Sequence, residues 1–531
     1  MKMRSMLLDL TKLRERGLLY FLICVVAIGV FLRCINLDQK PYWLDESYTL
    51  LRVSGYSAQD VEKDLLNGQI IKAGDFLKYQ TPSLEKGAIG TIAGLAKEEP
   101  QLPPLYFLVA RVWAQCFGSS KFAMRSLSVI GSLLSFPVIY LLCLELFASS
   151  TIGWMAMALF AVSPINLRYA QEIRPYSFWL TLSLISFVLL LQAIRQPAKL
   201  KWGLYTLSII MAFYCHLLTG LVMITQGLYV LCMERFRLTK TVMAYGAALG
   251  ITIVCLLPWL SIVWLNGDIA AQTLAWTRLP MLPINLMQGA GTAISHIFFA
   301  WHLKYHYSFI YLAAPTLIFI LYALYYLYSK APVRVWLLIL LTVGLTTLPF
   351  LFADLTLGGR RSLNERYFLV CHTMIFLAVA YLLTSKLAHQ LPASRPHLWQ
   401  WITILLLSGS LLSCSIGSLG RTWWGWSEFD VEIPSIIYKA PHPLIISDKS
   451  LAAILPFAKE LQPQINMQLL SHVAPDRLDL PDGFSHIFLY NPSEHLLSLA
   501  KQQNIEPQLV YSFQDPATTN QFSLYQISSR I

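Results

Sequence analysis

Charge is scarce in this sequence: only 13% of its 531 residues are Asp, Glu, Lys or Arg, against roughly 25% in a soluble globular chain. With 56% hydrophobic residues and a mean hydropathy of +0.54, that scarcity excludes a soluble enzyme. Paired cysteines are missing too. Nine cysteines are scattered, several in apolar runs (Cys24, Cys143, Cys215, Cys232, Cys255), with no C-x-x-C. They read as small core hydrophobes rather than a disulfide frame or metal site. No A-x-A-like end follows the first apolar run, 17–35, so the basic head before it (Lys2, Arg4, Lys12, Arg14, Arg16) flanks a retained span rather than a cleaved signal. The net charge of +11 does not point to nucleic acid, because Lys and Arg fall mainly in short loops, where membrane topology accounts for them.

What is present is a series of apolar windows long enough to span a bilayer. Eleven lie near 17–35, 125–147, 151–167, 177–194, 202–218, 219–233, 240–265, 308–328, 333–353, 367–385 and 399–419. Segment 104–117 is apolar but short, carries Arg111 and follows a polar loop; it is expected to lie in the interface as an amphipathic helix. The short, mostly basic connections then share one face with the N-terminus, the cytoplasmic one. Segments 36–103, 168–176, 266–307, 354–366 and everything after 420 face outward from the plasma membrane. The expected fold is therefore an all-α polytopic membrane domain over residues 1–420 and a small α/β extracytoplasmic domain over 421–531. In the latter, short apolar strands at 444–446, 487–490, 509–513 and 522–527 alternate with helical stretches at 451–461 and 494–503.

Unusual polar residues gather in four of the outward segments. The first is Trp43-Leu44-Asp45-Glu46-Ser47-Tyr48; helix capping accounts for one of its acids, not both. In the second, Glu98 and Glu99 precede Gln101-Leu102-Pro103-Pro104-Leu105-Tyr106, whose prolines by themselves suit a helix start. The third, Arg168-Tyr169-Ala170-Gln171-Glu172-Ile173-Arg174-Pro175-Tyr176, holds more than interfacial anchoring uses. The fourth, Arg360-Arg361-Ser362-Leu363-Asn364-Glu365-Arg366-Tyr367, sets basic residues against the positive-inside bias. A solvated loop is its bland reading; guanidinium forks matched to phosphate oxygens is the functional one. His216, His296, His302 and His306 are weaker signals. Carboxylates to take a proton, beside cations to hold an anionic lipid-borne leaving group, make a transferase layout.

These motifs together resemble the GT-C glycosyltransferases, in particular the bacterial branch related to protein O-mannosyltransferases and lipid A aminoarabinose transferases (glycosyltransferase family 39-like). The resemblance covers roughly residues 15–420. It rests on the acidic motif after the first span (Asp45, Glu46, Tyr48), Pro103-Pro104-Leu105-Tyr106, the 168–176 run and the Arg366-Tyr367 pair. It implies a GT-C fold of about eleven transmembrane helices plus interfacial helices, and inverting transfer of a sugar from a polyprenyl-phosphate donor. Carried over, Asp45 is the general base and Glu46 positions the acceptor. Arg174 and Arg366, with Arg361, hold the donor phosphate. Glu172 orients Arg174 or a sugar hydroxyl, and Tyr48, Glu99, Tyr106, Arg168, Tyr169, Tyr176, His216 and Tyr367 line the substrate groove.

Many relatives carry His or Lys before the Pro-Pro pair; Leu102 stands there in this chain, which makes His216 a candidate substitute. Some hold a divalent cation near the acidic motif, for which no ligand spacing is seen here. The implied partners are the lipid-linked donor, membrane lipids and a protein, lipid or glycan acceptor, with no nucleic acid. The same residues also suit a transporter or flippase of lipid-linked sugars, a lipid-linked glycan polymerase, or an inactive scaffold with an envelope-binding outer domain.

Overall fold

The computed structural model describes residues 2–300, 310–388, 396–424, 428–471, 477–478, 480–514 and 521–528; His302 and His306 lie outside these. Among the described residues, eight helices are long and apolar enough to cross a membrane: Arg16–Cys34, Lys121–Phe147, Tyr176–Arg195, Lys240–Leu265, Tyr311–Lys330, Val333–Leu357, Glu365–Ala388 and His397–Leu419. A ninth arises if Ser150–Ala161 and Pro164–Ala170, bent by 68°, are one span. The chain is thus a multi-pass membrane protein. Two of the eleven expected windows fall short. They form the helices Lys199–Cys215 and Thr219–Met233, of 17 and 15 residues. At 1.5 Å per residue these reach roughly 22–26 Å, below a hydrocarbon core of about 30 Å. The chain leaves the helix at His216, where the backbone is extended, close to the expected boundary between the windows 202–218 and 219–233. Leu105–Phe117 is a helix of 13 residues, short as expected.

The bend has a chemical cause. Pro164 has no N–H to offer the Phe160 carbonyl, so the helix cannot run through it. Arg33, fully buried, takes over: Nη2 donates to Phe160 O at 2.9 Å, and Nη1 to Ala161 O at 2.6 Å and Gly29 O at 2.8 Å. The helices meet closely because position 29 is glycine; a Cβ there would lie 2.6 Å from Ala161 O. Gln171 Nε2 in turn donates to the carbonyls of Leu32, Arg33 and Ile35 at 2.9–3.0 Å. These bonds tie the end of the first span to the 168–176 turn.

The C-terminal region forms a six-stranded sheet: β1 (Ile70–Lys72), β2 (Pro443–Ser447), β3 (Asn466–Leu469), β4 (His486–Tyr490), β5 (Gln508–Gln514) and β6 (Gln521–Ser528), in the order β1-β3-β2-β4-β6-β5. β2 runs parallel to β3 and β4; the other pairings are antiparallel. Four strands and both helices (Leu451–Glu460, Glu494–Gln502) coincide with the sequence expectation. β1 and β3 do not. β1 comes from the loop after the first span, with Ile71 opposite Met467. One core joins Leu51, Val61, Phe76 and Tyr79 of that loop to Ile445, Met467, Phe488 and Ile454 of the C-terminal region. The loop and the sheet are therefore packed as one body.

Candidate active site

The helix Leu44–Ser54 starts at Trp43, with Asp45 and Glu46 in its first turn, where the N-terminal dipole favours carboxylates. Glu46 is the better caged of the two. Its side chain has 0% exposure and both oxygens are taken by Arg125, from Nε at 2.8 Å and Nη2 at 2.6 Å. Arg125 spends its remaining donors on the carbonyls of Leu37, Lys40 and Pro41 at 2.9–3.1 Å. Glu46 also accepts the Ile173 N–H at 3.0 Å and lies at the limit of reach, 3.5 Å, from the Trp43 N–H. The helix-capping reading thus holds in part for Glu46, and its larger work is to staple three segments together.

That staple sets the next residue. With Ile173 fixed on Glu46, Arg174 reaches Asp45: Nη1 donates to Thr49 Oγ1 at 3.0 Å and Asp45 O at 3.3 Å, and Nη2 lies 3.7 Å from Asp45 Oδ2. Arg366 Nη1 donates to the same Oδ2. One carboxylate, 23% exposed, thus faces two buried guanidiniums. Burial alone would raise the Asp45 pKa; Arg174, then Arg366 and Arg168, outweigh it and hold the carboxyl below its usual range. Arg366 is enclosed by the rings of Trp43, Tyr176, Trp276 and Tyr367, at 5.6–5.7 Å from each centroid. Rings at this distance favour a cation through their negative faces. The Nε of each arginine is buried and donates to nothing among the described residues.

The other sequence candidates are placed around this pair or away from it. Glu172 binds Arg168 (Oε1 to Nε, 2.8 Å) rather than the Arg174 side chain, one of the two partners, with a sugar hydroxyl, that the resemblance implied; sequence proximity could not show that the turn aims the two side chains apart. Burial raises the Glu172 pKa against the pull of Arg168. Tyr169 and Tyr176 meet edge to face at 5.3 Å. His216 packs on Trp179 at 4.8 Å, Tyr176 at 5.6 Å and Tyr367 at 6.3 Å. Its Nδ1 accepts the Leu218 N–H at 3.2 Å. Burial first, then Arg174 and Arg366, push its pKa down to about 3, so it stands as a neutral imidazole.

Arg361 is used elsewhere: Nη1 donates to Asp354 Oδ1 at 2.9 Å and to Gly358 O at 2.6 Å, closing the end of Val333–Leu357. Glu99 and Glu98 clamp the buried Arg52 at 2.9 and 2.6 Å, and the Tyr48 ring lies 5.8 Å from that guanidinium. Tyr106, 1% exposed, shares a hydrogen bond of 3.2 Å with Ser128. His296 pairs with Glu365 at 2.7 Å. Arg33, Thr49, Arg125 and Trp276 were not singled out from the sequence. For Arg125 the signal was there, a basic residue at the start of an apolar helix; for Trp276 there was none.

A divalent cation does not fit beside Asp45. Its carboxylate already faces two guanidiniums, and the neighbouring Glu46 is saturated by Arg125. Among the described residues no three His, Cys, Asp or Glu side chains gather as a metal site.

With this geometry in view, the family whose model matches the chain is the one described as dolichyl-phosphate-mannose-protein mannosyltransferase, over residues 101–262. That is under a third of the chain, and it includes the 168–176 turn. The match agrees with the resemblance carried by the sequence motifs. Two crystal structures of ArnT from Cupriavidus metallidurans, in the apo state and bound to undecaprenyl phosphate, are distantly similar. Each is 13% identical, with 95% of this chain and 97% or 98% of the other covered, at a TM-score of 0.49. No curated protein sequence matches the chain.

Proposed function

We propose that this protein is an inverting GT-C glycosyltransferase that moves a sugar from a polyprenyl phosphate to an acceptor hydroxyl on the outer face of the plasma membrane. The observation that carries the reading is the Asp45 carboxylate set between Arg174 and Arg366. Its charge fits both ends of the reaction. Two guanidiniums and one carboxylate leave a surplus of one positive charge, which suits the single negative charge of a sugar phosphodiester. On transfer, the acceptor oxygen bonds to the anomeric carbon from the face opposite the phosphate. The anomeric carbon–phosphate oxygen bond breaks, and its electron pair leaves with the lipid phosphate. The acceptor proton goes to Asp45. Protonation raises the site's surplus to two just as the phosphate becomes a dianion.

A carboxylate of lowered pKa can still act as this base. Once the new bond begins to form, the attacking hydroxyl becomes a much stronger acid than any carboxylic acid. Because the arginines supply the positive charge, the reaction is proposed to need no divalent ion. The N-terminus is placed in the cytoplasm and the C-terminal domain outside, as the basic loops suggest.

The test is sugar transfer and slow hydrolysis from a synthetic polyprenyl-phosphate sugar by purified protein, with and without EDTA. Asp45→Asn should abolish both reactions, and donor binding should hold or tighten because the surplus charge rises. Turnover at the wild-type rate in Asp45→Asn removes Asp45 as base. Wild-type protein that binds donor but neither transfers nor hydrolyses, whatever acceptors are offered, overturns the transferase reading in favour of transport.

A further inference from the structure

Beside the Asp45 cluster lies a second cavity of about 110 Å³, open at its mouth and lined by indole rings and charged side chains together. Trp43 is shared between the two: Arg366, which binds Asp45, lies 5.7 Å from its ring, and so does Arg168, which lines the cavity. Trp423 and Asp430, on either side of the step from the bundle to the C-terminal domain, also line it. Two indoles thus border one space.

The hydrogen-bonding groups there are incompletely used. Glu172, 2% exposed, spends Oε1 on Arg168, while Oε2 has no partner among the described residues. Trp43 Nε1 is likewise buried and unpartnered. Among the described residues Lys40 Nζ makes one hydrogen bond, to Ser418 O at 2.8 Å, and it sits 4.4 Å from the Trp423 ring centre. Buried polar atoms without partners are uncommon enough to call for a ligand or water. The cavity lining holds as many acidic as basic side chains, so it offers no surplus charge to an anionic headgroup.

We propose that this cavity is a subsite for an uncharged sugar ring. Indole faces are negative and suit the weakly positive C–H faces of a pyranose. A hydroxyl donates to Glu172 Oε2, and ring or hydroxyl oxygens accept from Trp43 Nε1 and Lys40 Nζ. The ring is either the sugar of the lipid donor or a sugar of the acceptor, and the proposal rests on the transferase reading for that choice.

The test is saturation-transfer NMR with the methyl glycosides of mannose, glucose, galactose and arabinose, which needs no turnover. Wild-type protein should bind at least one of them, and Glu172→Gln and Trp423→Ala should each weaken it tenfold or more, while methyl glucuronide binds no better than the neutral glycosides. Displacement by a polyprenyl-phosphate sugar assigns the ring to the donor; glycoside binding that survives it assigns the ring to the acceptor. Wild-type protein that binds none of the four, or a Glu172→Gln variant that binds as wild type does, overturns the inference. Glycoside binding without any transfer would leave the subsite standing and remove the transferase reading instead.

Discussion

Arg366 shows why a guanidinium rather than any cation stands at this position. It donates to Asp45 while four aromatic rings border it, and a planar fork satisfies both demands where an ammonium satisfies one. Arg366→Lys keeps the charge, so lipid donor should still bind, but turnover should fall about a hundredfold, as for the loss of one well-placed donor to a leaving group. Steady-state kinetics decide it: a change confined to KM would mean that Arg366 only binds. His216 makes a pH prediction. Its folded pKa of about 3 lies below an unfolded value near 6.5, so its neutral form stabilises the fold above pH 6.5. That contribution is lost as pH falls from 6.5 toward 3, because the unfolded chain binds the proton first. The unfolding temperature should fall over that window, and His216→Gln should flatten the dependence; an equal slope in the variant refutes it.

At the scale of elements, the broken helix between Ala161 and Pro164 governs where the 168–176 turn lies. Arg33 donates to the Phe160 carbonyl, from which Pro164 withholds its helical N–H, and to the Ala161 carbonyl beside it. Arg33→Met removes both bonds; Phe160 O keeps the Ser163 N–H at 3.3 Å, so the loss should destabilise the protein by roughly 1–3 kcal/mol, the penalty for one buried carbonyl left unpaired. Denaturation of purified protein in detergent measures this, and unchanged stability would mean that the bend satisfies its own carbonyls. The same element marks the limit of sequence reading. The apolar windows located the spans, because burial in lipid demands long hydrophobic runs. They did not reveal the 68° bend, which comes from local backbone chemistry inside an unbroken apolar pattern.

For the whole molecule, the C-terminal sheet is coupled to the Asp45 helix. Glu460, at the end of Leu451–Glu460, accepts the Tyr42 N–H at 2.8 Å and pairs with Lys121 at 2.9 Å. Lys459 lies 3.8 Å from the Tyr42 ring centre. Tyr42 is three residues before Asp45, so the C-terminal region helps set where that helix begins. Glu460→Gln should lower turnover about tenfold, since small misplacements of a catalytic group carry large rate penalties, while unfolding temperature changes little. Wild-type turnover in Glu460→Gln would show the sheet to be uncoupled from the site.

By itself the sequence determined the class of protein, the positions of most spans, four of the six strands, and the segments that hold Asp45, Arg174 and Arg366. Hydrophobic run length, period-two alternation and the expense of charge near lipid are local properties, written in consecutive residues. Only the tertiary structure decided which acid faces which cation. Asp45 and Glu46 are neighbours in sequence, yet one meets Arg174 and Arg366 and the other is locked by Arg125. Adjacent positions on a helix point about 100° apart, and the partner of each side chain is set by packing between segments tens to hundreds of residues away. The joining of β1 to the C-terminal sheet was likewise closed to the sequence, because a strand of three residues has no pattern of its own and exists only through the edge it pairs with.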